Sequence, residues 1–133
     1  QKMMTVDEIF SYLRSIAPEG RDVVTDELFN GKELMFQVRE ARAGGREAAV
    51  RTPGSRWFSV EIEELYDYTV ADEDADDDEM RGYLQMCIRV AEAYVRGGGI
   101  EERKGLLRSR SIVVSVDGAP FRLEKIIGRR MPR

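Results

Sequence analysis

Carboxylates are the residues of this chain whose density and spacing invite a chemical reading. Between Glu61 and Glu79 there are eleven acidic residues and no basic one. Glu61 and Glu63 stand two apart on one face of an alternating stretch, and Tyr66 and Tyr68 flank Asp67 just beyond them. Paired carboxylates can serve a glycosidase-type mechanism. Adjacent glutamates on a strand are equally ordinary surface residues, and no catalytic residue is assigned. The run Asp72-Glu73-Asp74-Ala75-Asp76-Asp77-Asp78-Glu79 suggests calcium, but the spacing speaks against an EF-hand loop. Counted from Asp72, position 6 calls for glycine and holds Asp77, while position 12 calls for glutamate and holds Tyr83. Counted from Asp74, the same positions hold Glu79 and Gln85. Neither a metal nor a cofactor is expected.

Histidine is absent from the chain. Imidazole general acid–base chemistry, Ser-His and Cys-His nucleophile pairs and imidazole-ligated zinc are therefore excluded. An enzyme would have to run on carboxylates, Lys, Tyr or Arg. The single cysteine, Cys87, lies on the apolar stripe of a helix and is assigned to the core rather than to reactivity. One cysteine forms no internal disulfide, which fits a reducing compartment.

The charge is divided unevenly. Residues 1–79 hold 9 Lys/Arg against 20 Asp/Glu, and residues 80–133 hold 12 against 5, within a net charge of −4. So dense an acidic patch repels nucleic acid and anionic membranes and attracts a basic protein. The alternative is that the two halves neutralise each other in the fold. The candidate partner-binding set is Trp57, Glu61, Glu63, Asp72, Glu73, Asp74, Asp76, Asp77 and Asp78. Trp57 enters as the only tryptophan, on the strand face assigned to solvent; aromatics there are enriched at interfaces, while a buried Trp57 stays open.

These residues must be positioned by regular elements. Thr5-Val6-Asp7-Glu8 matches a capping box, and Val6, Ile9, Phe10, Leu13 and Ile16 follow helical spacing until Pro18 and Gly20. Arg21 to Lys32 reads either as a short strand or as a helical turn, closed by Asn30-Gly31. Leu34, Phe36 and Val38 alternate with Met35, Gln37 and Arg39, which predicts a half-buried strand. Gly44-Gly45 leads to a weaker strand over Arg46 to Thr52, and Pro53-Gly54 turns again. Arg56 to Val70 alternates as one long third strand, with a bend or bulge expected near Glu63-Glu64. Phe58, Val60, Ile62, Tyr66, Tyr68 and Val70 share its apolar face. The acidic run then opens a second helix, whose stripe is Met80, Tyr83, Leu84, Cys87, Ile88, Ala91, Tyr94 and Val95, and Gly97-Gly98-Gly99 ends it. After a charged link over Glu101 to Arg108, Ser109–Asp117 and Phe121–Glu124 form a hairpin through Asp117-Gly118-Ala119-Pro120. The expected class is α+β, an antiparallel sheet in the order α-β-β-β-α-β-β with two helices packed on it.

The 133 residues suit a single α+β domain over 4–128, with 1–3 an added or disordered start and 129–133 a basic tail. With 35% charged residues, no apolar run of about 20 and no cleavable leader, a cytoplasmic location is expected.

The element order, in a small acidic chain, resembles the type III secretion chaperone-like fold. That resemblance implies a homodimer that clamps extended partner segments. The acidity, Arg56-Trp57-Phe58-Ser59-Val60-Glu61 and Ala93-Tyr94-Val95-Arg96-Gly97-Gly98 resemble small bacterial immunity proteins of polymorphic toxin systems. This second resemblance implies occlusion of a toxin's active site. The leading expectation is a non-enzymatic module that neutralises a basic partner through its acidic surface; the alternatives are a secretion-chaperone-like escort and a small carboxylate-dependent enzyme.

Overall fold

Apolar residues at a period of two dominate the chain, and the computed structural model resolves them into one eight-stranded sheet. It describes residues 4–52, 57–104 and 109–126. Helix α1 spans Val6–Ile16, followed by strands β1 (Val23–Phe29), β2 (Leu34–Glu40), β3 (Glu47–Thr52), β4 (Trp57–Ile62) and β5 (Tyr66–Ala71). Helix α2 (Asp77–Val95) leads to β6 (Ile100–Lys104), β7 (Ser109–Val116) and β8 (Ala119–Lys125). The spatial order is β1-β2-β3-β4-β5-β8-β7-β6, with every neighbouring pair antiparallel.

The α+β class stands, but the element order is corrected from α-β-β-β-α-β-β to α, five strands, α, three strands. Three local causes account for the difference. Arg21–Lys32 contains β1, an edge strand whose Val23 is buried while Leu28 and Phe29 are adjacent and exposed, so its apolar residues do not alternate. The long third strand does not bend at Glu63-Glu64; it reverses there. Both residues take positive φ (55° and 60°) and the Leu65 amide donates to the Ile62 carbonyl at 2.9 Å, the backbone arrangement of a hairpin turn. Because Ile62 pairs with Tyr66 and Val60 with Tyr68, the three-residue reversal preserves parity and keeps the apolar residues on one face. Finally, the charged link holds β6, an Ile-Glu-Glu-Arg-Lys edge strand without an apolar alternation. The Pro53-Gly54 turn, Ile127 and the basic tail lie outside the described residues.

Both helices start as the chemistry of their first turns requires. The Thr5 hydroxyl accepts from the Glu8 amide, and the Glu8 carboxylate accepts from the Thr5 amide. Asp76 and Glu79 repeat this reciprocal cap on α2. Helix α2 packs across β2, β3, β4 and β7, while α1 rests on α2 and β2. Their apolar stripes meet Leu34, Phe36, Val38, Val50, Phe58, Val60, Ile62, Val114 and Leu123, all essentially inaccessible, and Met4 joins this core. Among the described residues no helix is long and apolar enough to cross a membrane.

One face of the sheet is thus covered by helices, and the other carries Met35, Gln37, Ala49, Arg51, Ser59 and Glu61. Among the described residues, two residue pairs join β5 to β8, Tyr66–Lys125 and Asp67–Glu124, whereas β1 and β2 share seven.

Candidate functional site

The sheet face opposite the helices is built in cross-strand rows. One row runs Met35, Arg51, Ser59, Thr69; the next runs Gln37, Ala49, Glu61, Asp67. Placing the small Ala49 between Gln37 and Glu61 leaves a depression, because its methyl cannot fill the space its neighbours span. The result is a cavity of about 190 Å³ lined by Met35, Gln37, Glu47, Ala48, Ala49, Arg51, Glu61, Glu63 and Glu64. Four carboxylates and one guanidinium surround it.

Each charge here has a distinct partner set. Arg51 is 3.1 Å from Glu61 and is also paired with Glu33. The Glu61 side chain is only 5% exposed, so this carboxylate is held inside the fold. Burial pulls the Arg51 guanidinium towards a lower pKa, but its hydrogen bonds and charge interactions with Glu33 and Glu61 outweigh burial and leave it raised. Glu63 accepts from the Tyr94 hydroxyl at 2.6 Å and from the Glu47 amide at 3.3 Å. Burial, then the Glu63 bond, push the Tyr94 phenol well above its ordinary range, so Tyr94 stays a neutral donor. The Arg46 guanidinium stacks 4.7 Å from the Tyr94 ring centroid and donates to the Tyr94 and Gly98 carbonyls, fastening the start of β3 to the end of α2. Glu47 and Glu64 form no ion pair among the described residues.

The Glu63-Glu64 turn deserves comparison with its usual chemistry. Left-handed backbone costs a non-glycine residue roughly 1–2 kcal/mol, and glycine or asparagine normally occupies such turns. Two glutamates here put two side chains on the cavity rim that Asn-Gly would not supply.

The structure separates the nine candidate residues into two groups. Glu61 and Glu63 line the cavity, and the half-buried Trp57 begins the same strand. Ala71 pairs with Trp57, so residues 72–76 leave the sheet at the end of β4 opposite to Glu61 and Glu63. They run to the helix-covered side. Several acidic residues of that entrance have structural duties. Asp72 accepts from the Tyr83 hydroxyl at 2.6 Å, and this bond, then burial, raises the Tyr83 phenol. Asp76 caps α2, and Asp78 pairs with Arg81 at 2.9 Å. One Asp77 carboxylate oxygen is buried without a hydrogen-bond partner. Glu73 and Asp74 are exposed and have no side-chain ion pair among the described residues.

No protein-family model, no curated protein and no solved structure matches the chain.

Residues missed by the sequence reading are Arg51, Glu47, Ala49 and Tyr94. Strand register places Arg51, Glu47 and Ala49, whereas the packing of α2 on the sheet brings Tyr94 within hydrogen-bond distance of Glu63, 31 residues away. Among the described residues no group of three His, Cys, Asp or Glu is arranged to hold a metal ion. Cys87 is fully buried, and burial pushes its thiol up to about 12. Thiol reagents at pH 8 are expected to leave Cys87 unmodified in the native protein and to label it once urea unfolds the chain; prompt native labelling, followed by absorbance, would contradict the burial.

Proposed function

We propose that the protein is a non-enzymatic binding module that neutralises a basic protein partner, in the manner of a toxin-immunity protein, through the acidic entrance to α2. The observation that carries this reading is charge the fold does not use. Asp72, Asp76 and Glu79 bond to nearby groups, whereas Glu73 and Asp74 are exposed without ion pairs among the described residues, and Asp78, though paired with Arg81, keeps its side chain 94% exposed. Charge held outward in this way steers encounter with a positive surface more than it tightens the final complex.

The test spares the caps. Glu73→Gln, Asp74→Asn and Asp78→Asn together leave the Asp76–Glu79 box and the Asp72–Tyr83 bond in place. Pull-down from the native cell lysate is expected to capture one basic partner with the parent protein and to lose at least tenfold of it with the triple variant. Association should slow as salt rises. Capture that is unchanged in the variant, or a rate flat across salt, would move binding away from the entrance.

A second reading, escort of an extended segment, is supported by β1. This strand is an outer edge of the sheet and exposes Leu28 (53%) and Phe29 (49%), a surface suited to strand addition. It goes with a homodimer, so a monomer on a sizing column counts against it.

A further inference from the structure

We infer that the groove between α2 and the β7–β8 hairpin holds the basic partner, which inserts one large apolar side chain there beside a lysine or arginine. The inference rests on the reading of the α2 entrance as the place where that partner arrives. Exposed charge steers an encounter, whereas most of the affinity of an interface comes from a few anchors desolvated in pockets. An entrance built on Glu73, Asp74 and Asp78 therefore calls for an apolar recess next to it.

The fold puts one there. Strand β5 runs from Tyr66 to Ala71, and β8 runs back beside it with Tyr66 opposite Lys125. Ala71, where the acidic loop begins, and Ala119, where β8 begins, accordingly stand at the same end of the sheet. Beyond the Asp67–Glu124 pair no ladder joins β5 to β8 among the described residues, and α2 packs on β4 and β7 to either side of them. The flank of α2 and the hairpin enclose an open groove of about 370 Å³. Met86, Val116, Ala119 and Phe121 give it an apolar surface. Tyr68, 36% exposed, extends that surface by meeting the Phe121 ring edge-on, with centroids 6.1 Å apart. The volume is that of about twelve water molecules, enough for one aliphatic or aromatic side chain.

Gly82 keeps the mouth of this groove open. It stands exposed inside α2 and lines the groove. Glycine weakens a helix interior, and neither of its usual justifications applies at this position. Its φ is not positive, and a Cβ built on it meets nothing within 4 Å. The fold therefore has room for a side chain at 82, and the groove does not.

Charge selects the occupant. Asp78 lies one helical turn before Gly82 on the same face of α2, so the groove begins beside an outward carboxylate. Farther along the same helix Arg89, the one cation among the described lining residues, is paired with Asp117 at 2.7 Å. A segment with an apolar residue next to lysine or arginine matches both features, its apolar side chain in the groove and its cation towards Asp74 and Asp78. An acidic segment would meet like charge at the mouth.

The experiment is an amide NMR titration of the full chain, at constant ionic strength, with three capped tripeptides: Lys-Phe-Lys, Lys-Ala-Lys and Glu-Phe-Glu. Lys-Phe-Lys is expected to give saturable shifts at Gly82, Met86, Val116 and Phe121, and to bind about tenfold tighter than either of the others. Gly82→Leu favours the helix and fills the mouth of the groove. It should erase the advantage of phenylalanine over alanine without lowering the melting temperature. Equal binding of Lys-Ala-Lys, with shifts confined to residues 73–78, would overturn the inference and leave the entrance reading standing. Equal binding of Glu-Phe-Glu would overturn both, since the groove would then accept an apolar side chain whatever its charge. A preference for phenylalanine that survives Gly82→Leu, or no saturation with any of the three, would also overturn the inference.

Discussion

Arg51→Ala is expected to destabilise the protein by about 3 kcal/mol, far more than removal of any exposed ion pair. The reason is the position of its partner. Glu61 lies inside the fold with its side chain 5% exposed, and Arg51 reaches it at 3.1 Å from a site that is itself 19% exposed. Breaking a buried pair from one side costs about 3–5 kcal/mol, because the remaining charge keeps its desolvation penalty while losing a close opposite charge, and the lower end applies to Glu61, which keeps other interactions. Exposed pairs such as Arg89–Asp117 contribute about 0–1 kcal/mol. A double-mutant cycle separates these terms. Glu61→Gln in the Arg51→Ala background removes the buried charge that Arg51 had paired and should restore part of the loss, with a coupling of about 1–3 kcal/mol. Urea denaturation of the four proteins measures it. Additive losses would mean that Arg51 acts through its contacts with Glu33 and the sheet surface rather than through Glu61.

Phe58→Ala should cost about 3–5 kcal/mol, the range for removing a fully buried aromatic ring. Phe58 is inaccessible to solvent, faces α2 from β4 and meets the Tyr83 ring with centroids 6.5 Å apart. Tyr83 in turn donates to Asp72, so the ring links the sheet to the loop that carries the acidic entrance. The substitution is therefore expected to loosen that loop as well as the core. A fall in urea midpoint with an unchanged slope checks the first effect, and faster amide exchange at residues 72–76 the second. A loss below about 1 kcal/mol would show that α2 settles into the space left behind.

Much of this fold can be read from short-range pattern. The Thr5–Glu8 capping box, the apolar face of β2 and the Asp117-Gly118 turn each depend on residues within four positions of one another, and each is found where the sequence puts it. Asp76–Glu79 is the same capping pattern, yet it is hidden in the acidic run, where density of charge obscures the spacing of two of its members. The reversal at Glu63-Glu64 is obscured for a related reason: glutamate carries no turn signal, and only positive φ reveals the hairpin. The cavity lies further from the sequence still. It exists because Ala49 stands between Gln37 and Glu61 in one row, a juxtaposition set by registers of β2, β3 and β4 that no local spacing encodes.

The two-pair join between β5 and β8 has a consequence for how the molecule opens. Strands β1–β5 form one run of hairpins and β6–β8 another, and among the described residues the ladder that unites them, two residue pairs extended by the Ile126 amide to the Leu65 carbonyl, is the shortest in the sheet. Continuity across that join falls instead to α2, which lies on β2, β3 and β4 from the first run and on β7 from the second. A ladder this short adds little to cooperativity, while a helix that spans both runs couples them through apolar burial. The last three strands are therefore expected to exchange their amides together with α2 rather than on their own, which native-state hydrogen exchange checks.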